Sequence, residues 1–189
     1  INIPKSNKFS PIKRVMITGE VKNPGFVAIH DQASLSEAIS LSGGLTKYAL
    51  PGGIEIFRDT LRIAWQNDKQ TLMDGDSINV LKKTGLIAIK GEVNNPGYIS
   101  FNKRHSAKNY IDLAGGFTSF AEPRNIFVIY PNGMSKQYSS FLPPKITEGS
   151  IIYVNERSLS GYLGKTSNAN FATITAQAGS LATTLLSLM

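Results

Sequence analysis

Val15-Met-Ile-Thr-Gly-Glu-Val-Lys-Asn-Pro-Gly-Phe26 returns 72 positions later as Ile87-Ala-Ile-Lys-Gly-Glu-Val-Asn-Asn-Pro-Gly-Tyr98. The same offset pairs Gly43-Gly44-Leu45-Thr46 with Gly115-Gly116-Phe117-Thr118, Ala49 and Pro51 with Ala121 and Pro123, and Ile54 and Ile56 with Ile126 and Val128. Several matched blocks at one spacing mean duplication. The chain therefore holds two copies of one small domain, each near the lower size limit for burying a useful core.

Each copy has a legible order of elements. Val15 to Val21 is β-rich and roughly alternating, which predicts a strand. Asn23-Pro24-Gly25 then predicts a type II turn, with proline presetting φ at the second position and glycine supplying positive φ at the third. Asn95, Pro96 and Gly97 repeat it, so these six residues are the expected fold-defining turns. Phe26 to Ile29 returns as a second strand. Ser34-Leu-Ser-Glu37 has capping-box spacing, and Leu35, Ala38, Ile39 and Leu41 give the following helix an apolar face that Gly43 terminates. Ser106 opens the equivalent helix, with Tyr110, Ile111 and Leu113 inward and Gly115 at its end. Short strands follow at Ile54–Arg58, Leu61–Trp65 and Ser77–Leu81, and at Ile126–Tyr130, Lys136–Tyr138 and Ile151–Val154. Pro131-Asn132-Gly133 favours a hairpin. Sheets with one helix apiece are an α+β arrangement, for which a β-grasp is the natural candidate at this size.

Twenty Lys and Arg against 13 Asp and Glu give a formal charge of +7, which suits an anionic partner such as nucleic acid, an acidic polysaccharide or lipid head groups, or simply a basic soluble surface. The charges are dispersed, with local pairs at Lys13-Arg14, Lys82-Lys83 and Lys103-Arg104, and nothing resembles a recognition helix. Cysteine is absent, which removes disulfides, thiol nucleophiles and thiolate metal sites. The chain begins at Ile1 with neither an initiator Met nor a signal peptide, and reads as an internal or processed piece.

The Gly-Glu-Val-x-Asn-Pro-Gly-aromatic phrase, followed by a helix ending in Gly-Gly-Leu/Phe-Thr, resembles the soluble-ligand-binding β-grasp domain, SLBB. Tandem copies with a C-terminal helix look most like the outer-membrane polysaccharide export proteins of the Wza type. The resemblance implies a ring-forming homo-oligomer of the periplasm and outer membrane of a Gram-negative bacterium. Such a ring guides capsular polysaccharide or exopolysaccharide outward, with an inner-membrane polysaccharide co-polymerase as partner. The expected layout is a linker at 1–13, a first SLBB domain at 14–84, a second at 85–158, and a linker with a C-terminal amphipathic helix at 159–189.

The tail carries its own signal. No charged residue occurs from Thr166 to Met189, and Phe171, Ile174, Ala178, Leu181, Leu185 and Leu188 recur at helical spacing. A helix over 171–189 would be about 28 Å long, close to the hydrocarbon thickness of a bilayer. Thr173, Gln177, Ser180, Thr184 and Ser187 line a polar, uncharged face. Three readings stay open: outer-membrane contact as one wall of an assembled pore, docking on protein or a neighbouring subunit, or a disordered tail.

Catalytic chemistry is missing. His30 and His105 are not equivalent in the repeat and have no acidic or histidine cluster at ligand spacing, so no metal site is expected. Glu20 and Glu92 recur because their strands recur, and nothing makes them converge as a glycosidase pair. Gly43-Gly44 and Gly115-Gly116 follow helices, unlike phosphate loops, and no nucleophile motif appears. A non-enzyme without a cofactor is expected. Trp65, Tyr98, Phe101, Phe120 and Tyr138 are the aromatics expected to be exposed for sugar contact, against the ordinary fate of aromatics in the core. Phe101, Lys103 and Arg104 form the best local candidate for an anionic-ligand or subunit contact. The alternatives are a ligand- or DNA-binding β-grasp module of a DNA-uptake system, and a periplasmic adaptor with no membrane-spanning part.

Overall fold

The computed structural model describes residues 12–157. Within them the chain divides between Thr84 and Gly85 into two compact units. The tail stripe from Phe171 to Leu188 lies outside the described residues.

The first unit runs β1 (Lys13–Gly19), β2 (Gly25–Ile29), α1 (Leu35–Leu41), β3 (Ala49–Arg58), β4 (Leu61–Ile63) and β5 (Ser77–Lys82). The second runs β6 (Leu86–Gly91), β7 (Gly97–Ser100), α2 (Ala107–Leu113), β8 (Ala121–Ile129), β9 (Ser135–Gln137) and β10 (Ile151–Glu156). Each forms a five-stranded sheet, ordered β2-β1-β5-β3-β4 and β7-β6-β10-β8-β9. The first and last strands of each unit are parallel neighbours at the centre, and every other pairing is antiparallel. These are two β-rich sheet domains consistent with tandem β-grasp folds.

Alternation decides which residues enter each core. Val15 and Ile17 of β1, Ile78 and Val80 of β5, and Ile54 and Ile56 of β3 are buried against Leu35, Ala38 and Ile39 of α1. Ile87 and Ile89, Ile152 and Val154, and Ile126 and Val128 repeat the arrangement against Ala107, Tyr110 and Ile111 of α2. Period two in the strands and an i, i+3, i+4 stripe in each helix thus meet in one layer. A helix of seven residues is too short to persist alone, so its stability comes from that packing.

The structure corrects several sequence expectations. Leu41 and Leu113 do not join the helix faces. They sit past the inward stripe, more than half exposed. The capping box forms in the other copy: Ser106 and Asn109 exchange side-chain and backbone hydrogen bonds, whereas Glu37 supplies only its backbone N–H to Ser34. The Glu37 carboxylate instead meets His30 Nε2 at 2.7 Å. Trp65 lies beyond β4, buried, its Nε1–H donating to the Ile54 carbonyl at 2.6 Å. Strands β3 and β8 begin earlier than expected, at Ala49 and Ala121, because each resumes pairing after a register shift. The Pro131-Asn132-Gly133 hairpin forms with only Gly133 at positive φ.

His30 donates from Nδ1 to the Asp31 carbonyl at 2.6 Å, and this bond, followed by the Glu37 charge, raises its pKa above 6.5. A raised folded-state pKa means stabilisation that is complete below 6.5 and lost as pH rises through the folded value. Glu37→Gln should lower the His30 pKa in an NMR titration of its ring protons, which is simple to assign with two histidines in the chain. An unchanged midpoint would show that the carboxylate does not hold the imidazolium.

Candidate functional site

The repeated blocks meet in space. At the end of β1, Gly19 adopts φ 80° and passes so close to the Val80 carbonyl oxygen that any Cβ would overlap it. Gly91 does the same against Val154 with φ 82°. This approach lets the next amide, Glu20 or Glu92, donate to that carbonyl at 2.9 Å in each unit.

The chain then runs alongside the loop that ends the helix. Lys22 and Asn23 N–H groups donate to the Gly44 and Ser42 carbonyls, and Asn94 and Asn95 to those of Gly116 and Ala114. Val21 bridges Leu45 as Val93 bridges Phe117. The Thr46 hydroxyl donates to the Glu20 carboxylate at 2.5 Å, and the Thr118 hydroxyl to Glu92 at 2.6 Å. Glu20 and Glu92 thus hold the seam in their own units and are not a convergent pair. Gly43 and Gly115, both near φ 80°, leave room for the Asn23 and Asn95 side-chain amides, which lie 2.7 Å from where a Cβ would project.

The expected type II turns are absent. Gly25 has φ 142° and Gly97 is not at positive φ, whereas that turn needs glycine near +80°. The reversal from β1 to β2 is a wider loop pinned to the helix end, so Asn23 and Asn95 act through the seam. Pro24 and Pro96 sit exposed within it.

Large exposed apolar side chains recur at this end. Phe26 and Tyr98, Leu41 and Leu113, and Tyr48 and Phe120 are each more than half exposed in both units. Tyr98 and Phe120 were expected to be exposed, but Phe101 and Tyr138 are partly buried against the second core. Lys103 and Arg104 are exposed in the turn before α2, where Asn102 caps the Arg104 amide. Phe101 is partly buried against the second core, unlike these two.

A cluster missed in the sequence lies at the seam end of unit one. Lys47 Nζ stands 4.9 Å from the Tyr48 ring centroid and Lys82 Nζ 5.8 Å from it. Lys83 Nζ reaches the Lys47 carbonyl at 3.4 Å, while its backbone N–H donates to the Tyr48 carbonyl. Lys22 follows β1 in the adjoining side of the seam, its N–H on the Gly44 carbonyl. The doublet Lys82-Lys83 was visible as a charge pair. Its meeting with Lys47 needed the β3–β5 register, in which Ala49 faces Lys82.

The sheet faces away from the helices differ between units. In unit one, Thr18, Asn79 and Glu55 align across β1, β5 and β3, and Arg62 closes the row on the Glu55 carboxylate at 2.9 Å. Asn79 Nδ2 donates to the same carboxylate at 3.0 Å, so the buried Glu55 is satisfied. In unit two the equivalent row is Lys90, Tyr153 and Phe127. Burial pushes the Lys90 pKa down. Among the described residues, no three His, Cys, Asp or Glu side chains group as metal ligands. None of the described helices is long and apolar enough to cross a membrane.

The family model for the SLBB domain matches residues 14–74 and again 86–137. The chain belongs to the SLBB family. Its two SLBB units account for the duplicated seam. A 66-residue stretch is 39% identical to the polysialic acid transport protein KpsD of Escherichia coli, and a second curated protein of the same name and organism matches equally. That stretch covers 35% of this chain but 12% of the relatives' length.

Gly19→Ala should cost the first SLBB unit roughly 2–4 kcal/mol, from the left-handed backbone and the carbonyl clash together. The single tryptophan, Trp65, reports on that unit, so urea denaturation followed by its fluorescence measures the loss. Gly97→Ala, with open space around it, should change stability by no more than about 0.5 kcal/mol by circular dichroism. Equal effects of the two substitutions would contradict the close-approach account.

Proposed function

We propose that this chain is a non-enzymatic segment of a polysaccharide-export apparatus, its two SLBB units stacking as tiers of an oligomeric ring around the polymer path. The observation that carries the reading is the 39% identity to a polysialic acid transport protein, within a chain whose two SLBB matches span both units. A location in the periplasm and at the outer membrane, and an inner-membrane co-polymerase as partner, follow from the same reading. A conduit needs weak, repeated contacts with its cargo, because tight binding would stop transport.

Two further features fit it. Phe26 and Leu41, with Tyr98 and Leu113 in the other copy, stay apolar and exposed although neither core uses them, which suits contacts between subunits. The uncharged tail, with its stripe from Phe171 to Leu188, suits a C-terminal amphipathic helix at the outer membrane. The net charge of +7 is the one feature that equally serves a DNA-uptake module.

The full-length protein should assemble as a ring in detergent, seen by electron microscopy and light scattering, and a strictly monomeric particle would count against the reading. The 189-residue chain should float with liposomes, and removal of residues 166–189 should abolish flotation. Undiminished flotation after truncation would leave the tail without a membrane role.

A further inference from the structure

Four lysines, Lys22, Lys47, Lys82 and Lys83, are exposed at the seam end of the first SLBB unit. Among the described residues none of them takes part in a salt bridge. The carboxylate built into the same seam, Glu20, is engaged by the Thr46 hydroxyl. Like charges crowded on one end of a domain repel, and here specific contacts hold Lys47, Lys82 and Lys83 together, while the Lys22 N–H on the Gly44 carbonyl sets Lys22 beside the same loop. The Tyr48 ring attracts the Lys47 and Lys82 ammonium groups within about 6 Å, the range of a cation–π interaction. Lys83 is tied to Lys47 through its carbonyl.

The second unit serves as an internal control. It has the same seam, and its Phe120 takes the place of Tyr48, accepting the Arg157 amide as Tyr48 accepts that of Lys83. Yet Asn94 stands for Lys22, Ser119 for Lys47 and Glu156 for Lys82, the last two pairs fixed by the repeat offset and by the Ala49 and Ala121 pairings. The fold therefore does not require the lysines. The four lysine positions are all positive, whereas at their counterparts Asn94, Ser119, Glu156 and Arg157 the last two charges cancel, so the difference is a property of the surface alone.

We propose that the end of the first SLBB unit formed by Lys22, Lys47, Tyr48, Lys82 and Lys83 is a binding site for a carboxylate-bearing polysaccharide. This rests on the export reading for the class of polymer. It adds that the polymer is anionic and that the first unit, not the second, holds it. Ammonium groups bind carboxylates as point charges without demanding one orientation, which permits the polymer to shift along the site. Nucleic acid fits less well. Single strands are held by free aromatic faces on which bases stack, and the one ring here already carries the ammonium groups of Lys47 and Lys82.

The test compares the intact 189-residue chain with a variant carrying Lys22→Asn, Lys47→Ser and Lys82→Glu, residues that the second unit accommodates in the same backbone. Probes are end-labelled polysialic acid, neutral dextran of similar length, and a single-stranded DNA oligomer, read by fluorescence anisotropy at about 50 mM salt, where surface charges are weakly screened. The wild-type chain should bind polysialic acid in preference to dextran and DNA, and the triple variant should bind it about tenfold or more weakly. A second variant, Lys103→Ala with Arg104→Ala, should bind as the wild type does. Undiminished glycan binding by the triple variant, or an equal loss in the second variant, overturns the site while leaving the export reading standing. Preference for DNA, or binding of neither anionic polymer, overturns the site and removes support for a glycan partner as well. Dextran bound as tightly as polysialic acid overturns the charge-based site alone. Matching thermal transitions of wild type and variant verify that the fold is retained.

Discussion

The close approach of one glycine to one carbonyl organises each unit. Where β1 ends, the backbone of Gly19 comes against Val80 with no room for a side chain, and Gly91 does so against Val154. That contact brings the first strand's exit beside the last strand, so that the next amide joins the carbonyl and the chain turns toward the helix end. The threonine–glutamate bonds and the Asn23 and Asn95 amides then follow as one connected seam. Backbone N–H groups of residues 20–23 and 92–95 all find carbonyl partners there, as a loop brought against a core requires. The repeated sequence blocks are the two sides of this seam, separated along the chain by a helix.

How much of this is legible without coordinates depends on the range of the interaction. Helix starts at Ser34 and Ser106, the terminating glycines and the inward strand residues rest on local rules, and the structure places them as those rules require. The Pro-Gly dipeptide misled because a local preference for a turn competed with hydrogen bonds to Ser42 and Ala114, residues that follow the helix. Leu41 and Leu113 fit a helical stripe, but the helices end before the stripe returns inward. Glu37 was lost to His30, a partner preceding the helix. The lysine cluster needed strand register as well as sequence spacing. Long-range pairing, in each case, overrode a local signal.

Duplication has preserved the seam while releasing the surfaces. Across the outer sheet face, a row of Thr18, Asn79, Glu55 and Arg62 in one unit is answered by Lys90, Tyr153 and Phe127 in the other. Buried Asp76, bound twice by Arg58, is answered by buried Ser150 in a hydroxyl pair with Thr147. The same backbone thus tolerates a buried ion pair or a neutral substitute. Such tolerance is how one small fold comes to present unlike faces to unlike partners.

The parallel pairing of first and last strands also governs the order in which the molecule can fold. In each unit the central strand pair joins residues about sixty positions apart, so loop closure must precede the contacts that reward it. A chain emerging from its N-terminus cannot close the first sheet until β5 is free. Once Lys82 has appeared, all five strands of the first sheet are present, before the second unit's first strand starts at Leu86. Two short cooperative closures in succession replace one long one. This keeps the repeated, similar strands from being available to pair wrongly at the same time.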